Sequence, residues 1–155
     1  MASQVSLGMD RMGMIRLSDK PPLTVSVTDA VVQAARAMNE RHVGAAAVLE
    51  GTAVVGVVTE RDMMQKIVAV GRDPGNTRVS EIMSSPAISV SVHTSVAEAA
   101  ALMRKNHIRH LVVLNEQEKL VGMLALRYLL YDLMDYMQST VGDLIGYIMN
   151  DAPGG

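Results

Sequence analysis

The chain has no cysteine, no tryptophan and no phenylalanine among its 155 residues. Without cysteine there are no disulfides, no thiolate metal sites and no thiol nucleophile, a pattern that fits a reducing compartment. The only aromatic side chains are 4 Tyr, too few for a base-stacking platform that would grip single-stranded nucleic acid. An excess of charge is also missing. The 14 Lys and Arg against 16 Asp and Glu leave a formal net charge of −2, with no basic footprint for DNA or RNA. No apolar run approaches the roughly 18 residues of a membrane span. Residues 1–14 lack the basic start and apolar stretch of a signal peptide. A cytoplasmic chain, engaging neither membrane nor nucleic acid, is expected. What is present is a hydrophobic fraction of 49 % with 13 Met, enough for an aliphatic, methionine-filled core. The length suits one ordinary domain or two small, closely packed halves.

The halves are visible as an internal repeat. Val25-Ser26-Val27 returns as Val90-Ser91-Val92, Ala34-Ala35 as Ala99-Ala100, Met38 as Met103 and His42-Val43 as His107-Ile108, at an offset of 65 positions. Val55-Gly56 returns as Val121-Gly122 at an offset of 66, so the turn between has gained one residue. A repeat of this size predicts two copies of one small unit, each burying its apolar face against the other. The copies part at one place: Thr59-Glu60-Arg61-Asp62 is answered by Ala125-Leu126-Arg127-Tyr128.

Periodicity gives each copy the same elements. In the first, residues 23–27 alternate as a strand and Thr28-Asp29 opens a helix carrying Val31, Ala34, Ala35 and Met38 to Arg41. Strands at 45–49 and 53–58 flank the turn Glu50-Gly51-Thr52, and a helix over 60–70 stops at Gly71 before Asp73-Pro74-Gly75-Asn76. In the second, a helical turn at 79–83 leads to a strand at 87–92. A helix follows from Ser95, opened by the capping box Ser95-Val96-Ala97-Glu98, to about Asn106. Strands at 110–115 and 119–124 precede a helix from Leu126 that runs well past the repeat. The predicted class is α+β: two pseudo-symmetric β-α-β-β-α units packed as one module, with a C-terminal helical extension. The boundaries are a leader at 1–20 with a short helix around 9–17, a first unit at 21–71, a linker and second unit at 72–136, and a tail at 137–155 whose last five residues fray.

The run Gly56-Val57-Val58-Thr59-Glu60-Arg61-Asp62 resembles the signature of cystathionine β-synthase (CBS) domains: Gly, two apolar residues, Thr or Ser, two variable residues, Asp. Gly122-Met123-Leu124-Ala125-Leu126-Arg127-Tyr128 keeps the Gly and the apolar pair but loses Thr and Asp. The segments 42–48 and 107–113 resemble the family's short strand after the first helix. The resemblance covers roughly residues 21–136 and implies a tandem pair with two clefts for adenine nucleotides, in modules that regulate rather than catalyse. It places ribose on Asp62, whose short carboxylate can accept both ribose hydroxyl protons. It sets Thr59 at a strand-to-helix junction that favours anions, and adenine against Ala87 and Ile88 near Val57. Phosphate would meet Arg109 and His110, with Arg127 approaching from the second signature. The sister cleft, with Ala125, Tyr128 and Gly44 at the matching places, loses the hydroxyl, the ribose acceptor and a cation. One working cleft is expected.

Plainer readings stand beside these. Thr59-x-x-Asp62 is also a capping box, and Arg109 and Arg127 are also ordinary surface cations. His107 and His110, three apart on an extended segment, point to opposite faces, so no metal site is expected there, and His42 and His93 read as surface or edge histidines. The tail spaces Leu130, Met134, Met137, Val141, Leu144 and Ile148 as a heptad seam. Gly142 and Gly146 weaken that helix by about 1 kcal/mol each, so it needs a surface: its own domain or, preferably, a second subunit. The reading is a non-enzymatic, homodimeric module that binds AMP, ADP or ATP in one cleft and passes occupancy to a regulated partner. NAD and S-adenosylmethionine share the adenosine. The alternative is a structural dimerisation or assembly module with degenerate clefts. An enzyme acting on nucleotides at Asp62 would lack a general-base pair or metal cluster.

Overall fold

The computed structural model describes residues 15, 17 and 20–150, and within them the two halves of the repeat fold alike. In the first, β1 (Thr24–Ser26) lies parallel to β2 (Ala45–Glu50), which pairs antiparallel with β3 (Ala53–Thr59). Parallel neighbours need a crossover rather than a hairpin, and α1 (Val31–Arg41) supplies it. In the second, β4 (Ser89–Ser91), α3 (Val96–Asn106), β5 (His110–Leu114) and β6 (Leu120–Ala125) repeat order and direction. The α+β pair of units predicted from the repeat is the fold.

The copying extends to irregularities. Both sheets slip register at the same repeat position, between Val48 and Leu49 and between Val113 and Leu114. Both crossover helices stop on a left-handed histidine, His42 at φ 54° and His107 at φ 53°. His is among the residues that tolerate this backbone, and it lets the next amides turn back onto the last helical carbonyls.

Three details depart from expectation. The first helix is capped by Ala30, whose amide donates to Gln33 Oε1 at 3.1 Å, because the Asp29 carboxylate instead accepts from the Ser26 amide at 2.8 Å. The helix predicted over 60–70 is α-helical only in α2 (Glu60–Met63) and continues as a π-helical turn, Met64–Val68, with Ala69 N–H donating to Met64 O at 2.9 Å. The helical turn predicted at 79–83 is a 3-10 turn, Val79–Glu81. The leader helix predicted around 9–17 lies mostly outside the described residues, as does the fraying end. Ile15 is buried, however, and its amide donates to Thr94 O at 3.1 Å, just as Val79 donates to Asp29 O at 2.8 Å one repeat earlier.

Each sheet packs one face on its own helices. Val31, Ala34 and Met38 of α1 meet Val25, Ala46, Val48 and Val58, closed by Val79 and Ile82. Val96, Ala99 and Met103 of α3 meet Leu111, Val113 and Leu124, closed by Ile15 and Leu129. A third cluster, built on Ala45, Val57 and Val112, joins the two sheets. This is how an aliphatic sequence builds a core without large aromatics. α4 (Leu126–Asn150) extends for 25 residues, about 37 Å at 1.5 Å per residue. All four tyrosines, Tyr128, Tyr131, Tyr136 and Tyr147, lie on it. Its heptad seam stays open, from 49 % exposure at Leu130 to 59 % at Ile148. No helix among the described residues is long and apolar enough to cross a membrane.

Candidate functional site

The site begins where β3 passes into α2. Thr59 caps the helix: its hydroxyl accepts from the Asp62 amide at 3.2 Å, and Asp62 Oδ2 accepts from the Thr59 amide and hydroxyl, both at 2.9 Å. Asp62 Oδ1 accepts from Lys66 Nζ at 2.9 Å, and Lys66 also donates to Ile82 O at 2.7 Å. A carboxylate oxygen has room for about two hydrogen bonds. Oδ2 is therefore full, and Oδ1 keeps one acceptor place. The expectation that Asp62 takes both ribose protons meets a carboxylate already holding three bonds.

The linker is pressed onto β3 at Gly56. A Cβ there would stand 2.7 Å from Ser84 O, so only glycine lets the two backbones approach. Val57 and Ser84 then exchange amide hydrogen bonds at 3.0 and 2.9 Å, and Ser85 Oγ donates to Val55 O at 2.8 Å. Past the cis Ser85–Pro86 bond, Ala87 and Ile88 reach the first unit's signature. Residues 107–110, which lead from α3 into β5, close the far side. The result is a cavity of about 300 Å³.

The cavity brings together Val57, Thr59 and Asp62 with Ala87, Ile88, Arg109 and His110. Arg127 does not join them. It lines a second, larger cavity of about 800 Å³ together with Gly44, Ala125 and Tyr128, its guanidinium 5.2 Å from the Tyr128 ring centre. The reason is the pseudo-symmetry: Arg61 and Arg127 hold matching places, and each faces the cleft of its own signature. The backbone shows the same match. Glu60 N–H donates to Gly44 O at 3.0 Å as Leu126 N–H does to Arg109 O at 2.8 Å, so Gly44 does occupy the place of Arg109.

Sequence reasoning missed Lys66 and Ser84 as cavity residues. Lys66 had a signal, an Asp–Lys pair four apart on a helix; Ser84 had none. His107 and His110 both line the cavity, because the left-handed backbone at His107 breaks the extended run that would have set them on opposite faces. Among the described residues no three His, Cys, Asp or Glu come together as a metal site. Burial, first, and the neighbouring cations Arg109 and Arg127 hold His110 below the ordinary imidazole value of 6.5, against a smaller upward pull from Glu60. Glu60, Arg109 and His110 line both cavities and form the wall between them.

The family model of the CBS domain matches residues 14–69 and again 79–135. The chain belongs to the CBS domain family. The CBS domain-containing protein YhcV of Bacillus subtilis is 39 % identical over 103 residues, covering 66 % of this chain and 72 % of that protein. The mitochondrial CBS domain-containing protein CBSX3 of Arabidopsis thaliana is 35 % identical over 109 residues, 67 % of this chain but 52 % of that protein. The chain thus spans about half of that relative. A CBS domain protein of Pyrobaculum aerophilum, solved in complex with AMP, has the same fold with a TM-score of 0.69 at 28 % identity, covering 85 % of this chain and 99 % of that one. CBS pairs are generally regulatory, nucleotide-binding modules, and none of these relatives points to a catalytic family.

Proposed function

We propose that this CBS pair is a non-enzymatic, cytoplasmic regulatory module that binds an adenine nucleotide, AMP, ADP or ATP, in the smaller cavity. It works as a homodimer and passes occupancy to a partner protein. The observation that carries the reading is the meeting of the Thr59–Asp62 signature with Arg109 and His110 across one cavity. In this pose a ribose hydroxyl donates to Asp62 Oδ1 beside Lys66. The adenine lies between Val57 and the Ala87–Ile88 segment. The phosphate turns to the Arg109 guanidinium, a charge-assisted contact stronger than one between neutral groups. Complex formation by the Pyrobaculum relative with AMP supports the ligand class. The larger cavity, without a Thr or Asp at Ala125 and Tyr128, offers no such ribose acceptor.

A thermal-shift panel of AMP, ADP, ATP and adenosine, with GMP as control, followed by calorimetry, tests the reading. Ligand at 100 times its dissociation constant adds about 2.7 kcal/mol, a plain rise in Tm. No rise with any adenosine ligand at millimolar concentration, and flat calorimetry, would leave the cavity without this role.

A further inference from the structure

From Leu130 to Ile148, α4 carries an apolar seam whose side chains stay about half exposed, and its residue order says what should cover it. Taking Met134, Val141 and Ile148 as a positions, the d positions are Leu130, Met137 and Leu144. All six are exposed on one continuous helix. β-Branched residues at a with leucine at d favour two parallel strands over higher orders; here Val141 and Ile148 stand at a, and Leu130 and Leu144 at d.

The flanks say which partner. The e and g positions, where charged pairs choose a foreign strand, hold only Tyr131, Gln138, Ile145, Leu133, Thr140 and Tyr147. The carboxylates of this stretch, Asp132, Asp135 and Asp143, fall at f, b and c, away from the seam. A second copy therefore meets the seam with no like charges opposed, whereas a partner selected by charge would find nothing to read. Gly142 and Gly146 fall at b and f and leave the contact face intact.

We infer that residues 130–148 of α4 pair with the same residues of a second copy as a parallel, in-register two-stranded coiled coil. Leu129, one residue before the seam, is buried in the second core, so the coil is anchored to the module rather than tethered. Parallel pairing sets the two modules side by side at the same end of the coil. The inference rests on the homodimer reading above and specifies its mode.

Because the chain has no cysteine, a single introduced thiol reports the pairing. Leu144→Cys and Met137→Cys, both at d, place identical residues of two parallel helices within disulfide reach; Ser139→Cys, at f, places them outside it. Light scattering on the full-length chain should give a dimer mass. Under mild oxidation both d variants should cross-link at least ten times faster than Ser139→Cys, with AMP affinity measured by calorimetry unchanged. A dimer whose d variants cross-link no faster than Ser139→Cys would overturn the coiled coil and leave the dimer standing. A monomer mass at high concentration would overturn both.

Discussion

Asp62 shows how much one side chain is asked to do: it closes the Thr59 cap, holds Lys66 and keeps one acceptor place facing the cavity. Asp62→Ala should cost the fold about 1 kcal/mol as a lost cap. It should weaken AMP and adenosine alike, by roughly ten-fold or more, since a hydrogen bond to a charged group is worth about 1.5–3 kcal/mol. Arg109→Ala should instead weaken AMP and leave adenosine nearly unchanged, because only phosphate meets the guanidinium. Calorimetry with both ligands on both variants checks the split, and equal losses for Arg109→Ala would move Arg109 out of the phosphate subsite. His110 adds a pH dependence. Its folded-state value is held below 6.5, so the folded chain resists a proton that the unfolded chain accepts. Its contribution to stability is present above 6.5 and lost as the pH falls below that value. His110→Gln should flatten the denaturation midpoint against pH on that acid side, and an unchanged slope would exclude the imidazole as its source. Thr59 and Asp62 were legible because a signature is local in sequence. Arg127 lines the larger cavity rather than the expected one, because which cavity a side chain faces depends on the pseudo-twofold between units, and no linear pattern carries that.

At the scale of elements, two glycines at equivalent places differ in what they allow. A Cβ on Gly56 meets a backbone carbonyl, Ser84 O, at 2.7 Å; one on Gly122 meets the end of a flexible side chain, Leu17 Cδ2, at 2.9 Å. Gly56→Ala should therefore cost roughly 1–3 kcal/mol as the linker is pushed off β3, and Gly122→Ala clearly less. Urea denaturation of the pair tests it, and equal losses would contradict the close approach at Ser84. Gly142 and Gly146 have open space around an added Cβ, so replacing both by Ala should raise the helicity and stability of α4, by about 1 kcal/mol each, as circular dichroism would record. Elements were the best-read level, since apolar spacing and caps such as Ser95–Glu98 act within a few residues. The change from α to π at Met64 escaped notice because both helices place apolar residues on one face over so short a span. The burial of Ile15 in the second core escaped for a different reason: it is a contact between residues about eighty positions apart.

Over the whole molecule, the cluster of Ala45, Val57 and Val112 between the sheets makes the two units one cooperative body. Val112 is fully buried, and Val112→Ala should cost roughly 2 kcal/mol while leaving a single calorimetric transition. Two separated transitions would mean that the units melt independently. The repeat foretold this arrangement, since two copies of one small unit are expected to bury an apolar face against each other. The confinement of all four tyrosines to α4, in a chain with no tryptophan, has an experimental consequence. Intrinsic fluorescence of this protein comes from one helix and is blind to both sheets. Emission anisotropy and quencher access thus follow α4, from Tyr128 at the larger cavity to Tyr147 in the tail, while far-ultraviolet dichroism follows all the helices and both sheets. Recorded together on one unlabelled sample, the two signals separate detachment of the helix from loss of the fold.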